Sequence, residues 1–446
     1  MTLWQKLDIS ERIAAVQTTA ASKNIEDRAV EKDWWVTAVL KALFTTSCSD
    51  YMLFKGGTSI SKGWPIIERF SEDIDLSLGR QFFLEVRNLS CAAVENNTQL
   101  KNLRKASRKY IHGTLSKELD ERLSEMGIVG FAVENQTTQP AAEGPKPIDA
   151  DSDPTVILVN YDSVFPAYDG DILPRVKIEI SCLSMSEPFE AKPITTLMHH
   201  QFPELDEALS VDIRTITPSR TFLEKAFLLN EEFQKEKPRS RRMSRHLYDL
   251  EKLMDTNYGK AALEDTALYQ AIVEHRRKFY HLGYVNYDLD YPAAIKFVPE
   301  GETLDAYRGD YNDNMVNGYI YGFRYFDGEN QTPTAQVQGH KELYSDRVKN
   351  DLNLSRLSFD EFQAKFLHTI ELCYELSRLF PETWKALIKD WKLLSKPIPL
   401  PPPRWKDIEH NRSRTPPEYP LIDKITLNAT LSNKIDHSGR FMRLSL

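Results

Sequence analysis

Phe54-Lys55-Gly56-Gly57-Thr58-Ser59, followed after Ile60 to Phe70 by Ser71-Glu72-Asp73-Ile74-Asp75-Leu76-Ser77-Leu78, is the stretch whose reading decides the fold. It reads as a strand, a double-glycine turn, a helix and a second strand. Side chains two apart on a strand share a face. Asp73, Asp75 and Ser77 therefore point one way, and Ile74, Leu76 and Leu78 point into a core. Two like charges side by side repel unless a counter-charge joins them, and hard divalent cations prefer carboxylate and phosphate oxygens. Glycine lets backbone approach a phosphate closely and tolerates turn geometries closed to other residues. Thr58 and Ser59 then open a helix whose unpaired N–H groups suit an anion. Taken singly, Asp-x-Asp on a strand is most often a solvated face, and Gly-Gly is most often a turn. In this order and at this spacing the two together read as a phosphate cradle beside a metal-ligating pair.

A two-metal site needs more than two carboxylates. Arg175-Val176-Lys177-Ile178-Glu179-Ile180 alternates in the same way, with Lys177 and Glu179 on the face opposite three aliphatic side chains. If this strand pairs beside the Asp-x-Asp strand, Glu179 completes an acidic triad and Lys177 can neutralise triphosphate charge. Read alone, the segment is equally a Lys/Glu pair on an exposed strand face.

These segments resemble the AbiEii/AbiGii toxin family of nucleotidyltransferases, in the wider DNA polymerase β-like superfamily. Glu31-Lys32-Asp33-Trp34-Trp35-Val36 is similar to the family's N-terminal helix, and Lys55-Gly56-Gly57-Thr58-Ser59 with Lys62 to its first motif. Arg69-Phe70-Ser71-Glu72-Asp73-Ile74-Asp75-Leu76 is similar to its signature segment, and Val176 to Ile180 to its next strand. Glu224-Lys225-Ala226 and Arg245-His246-Leu247-Tyr248-Asp249-Leu250 resemble its helical motifs. The likeness covers roughly residues 25 to 320. Two departures stand out: Arg245-His246 replaces an Arg-Asp of many relatives, and the chain past residue 325 matches no part of the family core.

The resemblance implies an α+β fold, with a small mixed sheet forming the nucleotidyltransferase core between a helical N-terminal flank and a helical C-terminal region. It implies an NTP-dependent, Mg²⁺-dependent enzyme acting as the toxin of a toxin–antitoxin or phage-defence system. NMP would pass from an NTP to an RNA, the 3′ end of tRNA, and an antitoxin would be the partner. Carried over, Asp73, Asp75 and Glu179 are catalytic and hold two Mg²⁺, or Mn²⁺ in their place. Lys55, Gly56, Gly57, Thr58, Ser59, Lys62, Lys177 and Lys225 bind the nucleotide. Two other readings stay open at this point: transfer of NMP to a protein hydroxyl, and a non-catalytic nucleotide-binding subunit of a defence complex. Asp249 carries less, because Arg245 lies four residues earlier on an expected helix and a plain i,i+4 ion pair accounts for both.

At 446 residues the chain predicts two or three domains. These are a core over residues 1–215 with a helical insertion, a helical domain over 216–325, and an extension over 326–446 with a helix opened by Ser358-Phe359-Asp360-Glu361 and a Pro-rich arm. A net charge of −8 argues against wholesale coating of nucleic acid, while leaving room for a local basic groove. Three basic runs stand out: Lys101 to Lys109, Lys235 to Arg245, and Arg276 to Lys278 with aromatic residues nearby. The first reads as a nucleic-acid contact or a solvated helix face, the second as an RNA-backbone or triphosphate contact or a charged loop between helices, and the third, with Tyr284, Tyr287, Tyr291 and Tyr307, as a surface for unpaired bases or as core aromatics. Cys48, Cys91, Cys182 and Cys373 are widely spaced, so no disulfide or zinc framework is expected. Reduced thiols, no signal-like N-terminus and no apolar run near ~20 residues predict a cytoplasmic protein without a membrane partner.

Overall fold

The capping residues and the strand alternation explain most element boundaries in the computed structural model. It describes residues 2–319, apart from 142–143, 167–171, 207–208, 291 and 293. The expectations for 326–446 lie outside the described residues. After a short α1 (Leu3–Lys6), Asp8 caps α2 (Ile9–Lys23). The Asp8 carboxylate accepts from the Glu11 N–H at 2.8 Å, and the Glu11 carboxylate accepts from the Asp8 N–H at 3.0 Å. This reciprocal capping satisfies donors that a helix start leaves unpaired.

Helix α3 (Asp27–Leu43) runs through the centre of the molecule and is enclosed on nearly every side. Successive residues on a helix turn by about 100°, so the consecutive charges Glu31, Lys32 and Asp33 reach three different places. Glu31 accepts from Ser163 Oγ at 2.6 Å and from the Val164 N–H at 2.7 Å. Lys32 pairs with Glu72 at 2.7 Å. Asp33 pairs with Lys62 at 2.5 Å and accepts from the Leu197 N–H at 2.7 Å. The Glu-Lys-Asp motif is therefore a three-way fastening. One of its links ends on the residue just before Asp73.

The described strands are β1 (Met52–Lys55), β2 (Ile74–Leu78), β3 (Phe131–Asn135), β4 (Thr138–Gln139), β5 (Lys146–Pro147), β6 (Thr155–Tyr161), β7 (Arg175–Ser181), β8 (Phe189–Ile194) and β9 (Val211–Ile216). β4 and β5 form a small two-stranded ribbon. The others form one mixed sheet in the order β3-β6-β7-β2-β1-β9-β8. β2 is parallel to β7 and β1 to β9, and the remaining neighbours are antiparallel. The fold is α+β with a central mixed sheet. Sequence alternation did not mark β3, β8 or β9. β3 and β8 are edge strands with weak patterning, and β8 carries Pro193, which a sheet tolerates only at an edge.

One sheet face, through Ile74, Leu76, Ile178 and Ile180, packs with α3, α5 (Asn97–Tyr110) and α6 (Ser116–Glu125) in one apolar cluster. A second cluster joins Ile60 of α4 (Gly56–Gly63) and Ile67 to the helices that follow the sheet. These, after a short α7 (Pro203–Asp206), are α8 (Pro218–Glu232), α9 (Ser244–Met254), α10 (Asn257–Glu264), α11 (Thr266–His275) and α12 (Gly301–Asp310). Burying a side chain the size of Ile60 or Ile67 contributes roughly 1.5–3 kcal/mol. The segment between the two sequence motifs is thus what docks the helical part. α8 starts at Thr217-Pro218, and Phe222, Ala226 and Leu229 are buried. Lys225 is buried on the same helix.

Candidate active site

Strand register assembles the site. Lys55 on β1 stands opposite Asp75 on β2, and Asp75 stands beside Glu179 on β7. Side chains at matching positions on neighbouring strands share a face. Lys55, Asp75 and Glu179 therefore form one row across the middle of the sheet, and the pairing inferred for Glu179 is the one observed. Asp73 immediately precedes β2, one pleat away.

The glycine turn lies against this row. Gly56 has φ +81°, a conformation L side chains rarely adopt. A Cβ there would fall within 2.9 Å of Asp75 Cγ. A Cβ on Gly57 would meet Ser71 Oγ at 2.9 Å and the Arg69 guanidinium closer still. The double glycine is therefore required by the protein's own carboxylate and guanidinium groups, independently of any phosphate. The Thr58 hydroxyl donates to the Asp73 carbonyl at 2.5 Å, and its oxygen lies within hydrogen-bond distance of the Ser71 hydroxyl at 2.9 Å. The Ser59 hydroxyl donates to the Gly56 carbonyl at 2.9 Å. Both hydroxyls are spent on holding the turn and the Asp73 loop, so what these residues offer an anion is backbone.

Burial and like charge dominate the electrostatics. Asp75 is pushed up to about 6, first by burial and then by the Glu179 charge, with Lys55 pulling the other way. Asp73 is raised by burial and by the charges of Glu72 and Glu179, which Lys177 opposes. Burial disfavours the Lys177 ammonium, but its ion pair with Glu179 and the charges of Asp73 and Asp75 hold its pKa above the usual range. Lys55 is likewise raised despite burial, by Tyr280, Asp75 and Glu224. Among the described residues no group of three His, Cys, Asp or Glu side chains converges as a metal-holding cluster. The donor chemistry of Asp73, Asp75 and Glu179 still fits a hard cation: these are carboxylate oxygens, and the charge of Glu179 raises both aspartates.

The remaining sequence candidates lie elsewhere. Lys62 is committed to Asp33 and to the Thr195 carbonyl at 3.0 Å, fastening α4 to α3. Lys225 pairs with Asp249 at 2.9 Å. The i,i+4 pair expected between Arg245 and Asp249 is not the pairing observed. Asp249 instead receives Arg69 through Nε at 2.7 Å and Nη2 at 2.8 Å. Burial works against the Asp249 carboxylate, but Arg69 and Lys225 hold it far below the usual range. Burial, then Lys225 and Arg245, holds His246 well below the usual imidazole range. Arg69 itself went without a role in the sequence reading. It touches the glycine turn at one end and α9 at the other, and its only local signal was its place in the signature segment.

Of the basic runs, Lys235 to Arg245 is neutralised in part, by acids that lie outside it. Burial pushes the Glu232 carboxyl up, but hydrogen bonds from Arg239 and Lys235 outweigh it and hold it at about 2. Arg242 reaches Glu72 at 2.9 Å. In the third run Arg276 is buried against Glu231, and Arg277 meets Asp288 at 3.3 Å. Tyr287 and Tyr307 are core residues, Tyr284 is exposed beneath Lys235, and Tyr291 lies outside the described residues. Cys48, Cys91 and Cys182 are free thiols, and among the described residues no helix is long and apolar enough to cross a membrane.

Residues 38–320 match a family described as nucleotidyl transferase AbiEii toxin of a type IV toxin–antitoxin system. No curated protein matches the chain. Among solved structures the chain is similar to MenT4, a nucleotidyltransferase toxin from Mycobacterium tuberculosis H37Rv, at 15% identity. That match covers 83% of this chain and 99% of the other, with a TM-score of 0.33.

Proposed function

Because the chain belongs to the AbiEii family of nucleotidyltransferase toxins of type IV toxin–antitoxin systems, we propose that it transfers NMP from an NTP to an RNA acceptor, the 3′ end of tRNA, at the Lys55–Asp75–Glu179 row. The observation that carries this reading is the register that sets Asp75 between Lys55 and Glu179 with Gly56 packed against it. Asp73, Asp75 and Glu179 would hold a divalent cation, Mg²⁺ or Mn²⁺. Bound there, such an ion supplies neutralisation of triphosphate charge and acidification of a hydroxyl.

The chain's own residues do the positioning. The α4 N-terminus presents the Gly57, Thr58 and Ser59 N–H groups to the triphosphate. Lys55 and Lys177 offset its negative charge from two sides of Asp75. Lys62 and Lys225 act through the frame, the first by anchoring α4 and the second by anchoring Asp249. An acceptor hydroxyl set against the carboxylate row attacks the α-phosphorus in line. Its proton passes to a carboxylate oxygen, the bond to the bridging oxygen breaks, and pyrophosphate leaves. Such catalysis rests on positioning and charge neutralisation. An antitoxin partner follows from the type IV assignment.

The test is incubation of the protein with each labelled NTP, total tRNA and Mg²⁺. Labelled RNA is expected from the wild type and none from Asp75→Asn. Label that persists in Asp75→Asn refutes the site, and label on protein instead of RNA refutes the acceptor.

A further inference from the structure

Beside the carboxylate row lies a small open cleft, walled by Arg69, Arg242 and Arg245 together with Ser71, Glu72 and Asp310. Building on the nucleotidyltransferase reading, we propose that this cleft is a second phosphate site. It would seat a phosphate group of a substrate, either the nucleotide's own or one on the acceptor strand.

Three observations converge on it. First, Arg245 lies half-buried, and its Nε is a buried atom with no hydrogen-bond partner. A buried guanidinium donor is costly unless an acceptor reaches it. Asp73 and Asp75 act on Arg245 only through space. Second, Arg242 adopts φ +58°, the left-handed region that non-glycine residues rarely enter. Asp310 holds it there. Its carboxylate accepts from the Arg242 N–H at 2.5 Å and from the Ser244 N–H at 3.0 Å, and Ser244 Oγ donates to it as well. Strain maintained by surrounding bonds marks a position whose geometry matters, and here it carries the Arg242 guanidinium over Glu72. Third, the wall residues Ser71 and Glu72 precede Asp73 directly in the chain, so an anion in the cleft lies next to the catalytic row. Guanidinium forks match phosphate oxygens in pairs, and a phosphate is the anion this enzyme's substrates bring. Glu72 and Asp310 moderate the positive charge, which suits reversible binding.

The experiment uses the full chain as wild type, Arg242→Gln, Arg245→Gln and, as a control on the exposed side of the same turn, Arg241→Gln. Inorganic phosphate is titrated calorimetrically at fixed ionic strength without NTP. Nucleotide incorporation is then measured with NTP and RNA varied separately. Saturable phosphate binding is expected for wild type and Arg241→Gln, weakened about tenfold or more in the two cleft variants, in line with the loss of one charge-assisted contact. A matching rise in KM for NTP assigns the phosphate to the nucleotide, and a rise in KM for RNA assigns it to the acceptor. Wild-type phosphate affinity and both KM values unchanged in Arg242→Gln and Arg245→Gln overturn the proposal, as does absence of saturable phosphate binding by the wild type. Phosphate binding that depends on these arginines in a protein that labels no RNA upholds the cleft while the transfer reading fails.

Discussion

Replacing Asp249 tests how the helical part is joined to the site. The carboxylate is fully enclosed and takes three charge-assisted bonds, two from Arg69 at 2.7 and 2.8 Å and one from Lys225 at 2.9 Å. Both cations are themselves buried. Removing one member of a buried ion pair costs about 3–5 kcal/mol, because the partner is left uncompensated. Asp249→Ala leaves two such cations, so about 5 kcal/mol is expected, a drop in melting temperature on the order of 10 °C. Lys225→Met leaves Asp249 with its two-pronged Arg69 contact and removes a buried charge, so it should cost only about 1–2 kcal/mol. Thermal melting and urea titration of the three proteins at pH 7 provide the comparison. The pH dependence supplies a second reading. The folded carboxyl titrates far below the unfolded one, so the stabilisation is complete above pH ~4 and lost as pH falls through the folded value. Asp249→Asn should flatten that acid limb. A loss under about 1 kcal/mol in Asp249→Ala, or an equal loss in Lys225→Met, would refute the idea that Asp249 is the shared counter-charge.

Gly56→Ala places a Cβ against Asp75 in a backbone conformation that costs about 1–2 kcal/mol by itself; RNA labelling should fall at least as far as stability. Gly113→Ala, where a Cβ meets nothing within 4 Å, should be neutral or stabilise by about 0.5–1 kcal/mol in melting experiments, and a loss there would contradict the packing described. Asp290 is pushed up to about 7 by burial and then by the Glu231 charge, although it accepts from Asn230 at 2.7 Å. Between the unfolded value near 4 and the folded value the native state holds an extra proton. Stability should therefore fall by about 1.4 kcal/mol per unit as pH rises through that window. Asp290→Asn should remove that slope in melts taken from pH 5 to 8, and an unchanged slope would exclude Asp290 as its source.

Local pattern carried much of this protein. Period-two alternation placed Asp75 and Glu179 on one face of their strands, and the run from Lys55 to Ser59 announced a turn into a helix. Those readings need only neighbours in the chain, and β1, α4, β2 and β7 appear where they predict. Partner choice was another matter. Which cation meets Asp249, what occupies Lys62 and why Gly56 must be glycine all depend on groups brought together from distant segments. Spacing pointed to Arg245 for Asp249, and the fold supplied Arg69 and Lys225 instead. A buried carboxylate takes whichever donors the docked helices leave within reach, and two apolar clusters set that docking. The parallel register of β2 and β7 was likewise decided by tertiary structure, because no property of either strand alone says which edge it will find. The sequence alone determined that a glycine turn and carboxylates on alternating strands would be present. Their arrangement as a row flanked by an arginine cleft came from long-range packing, where burial makes each unpaired charge costly and so selects its partner.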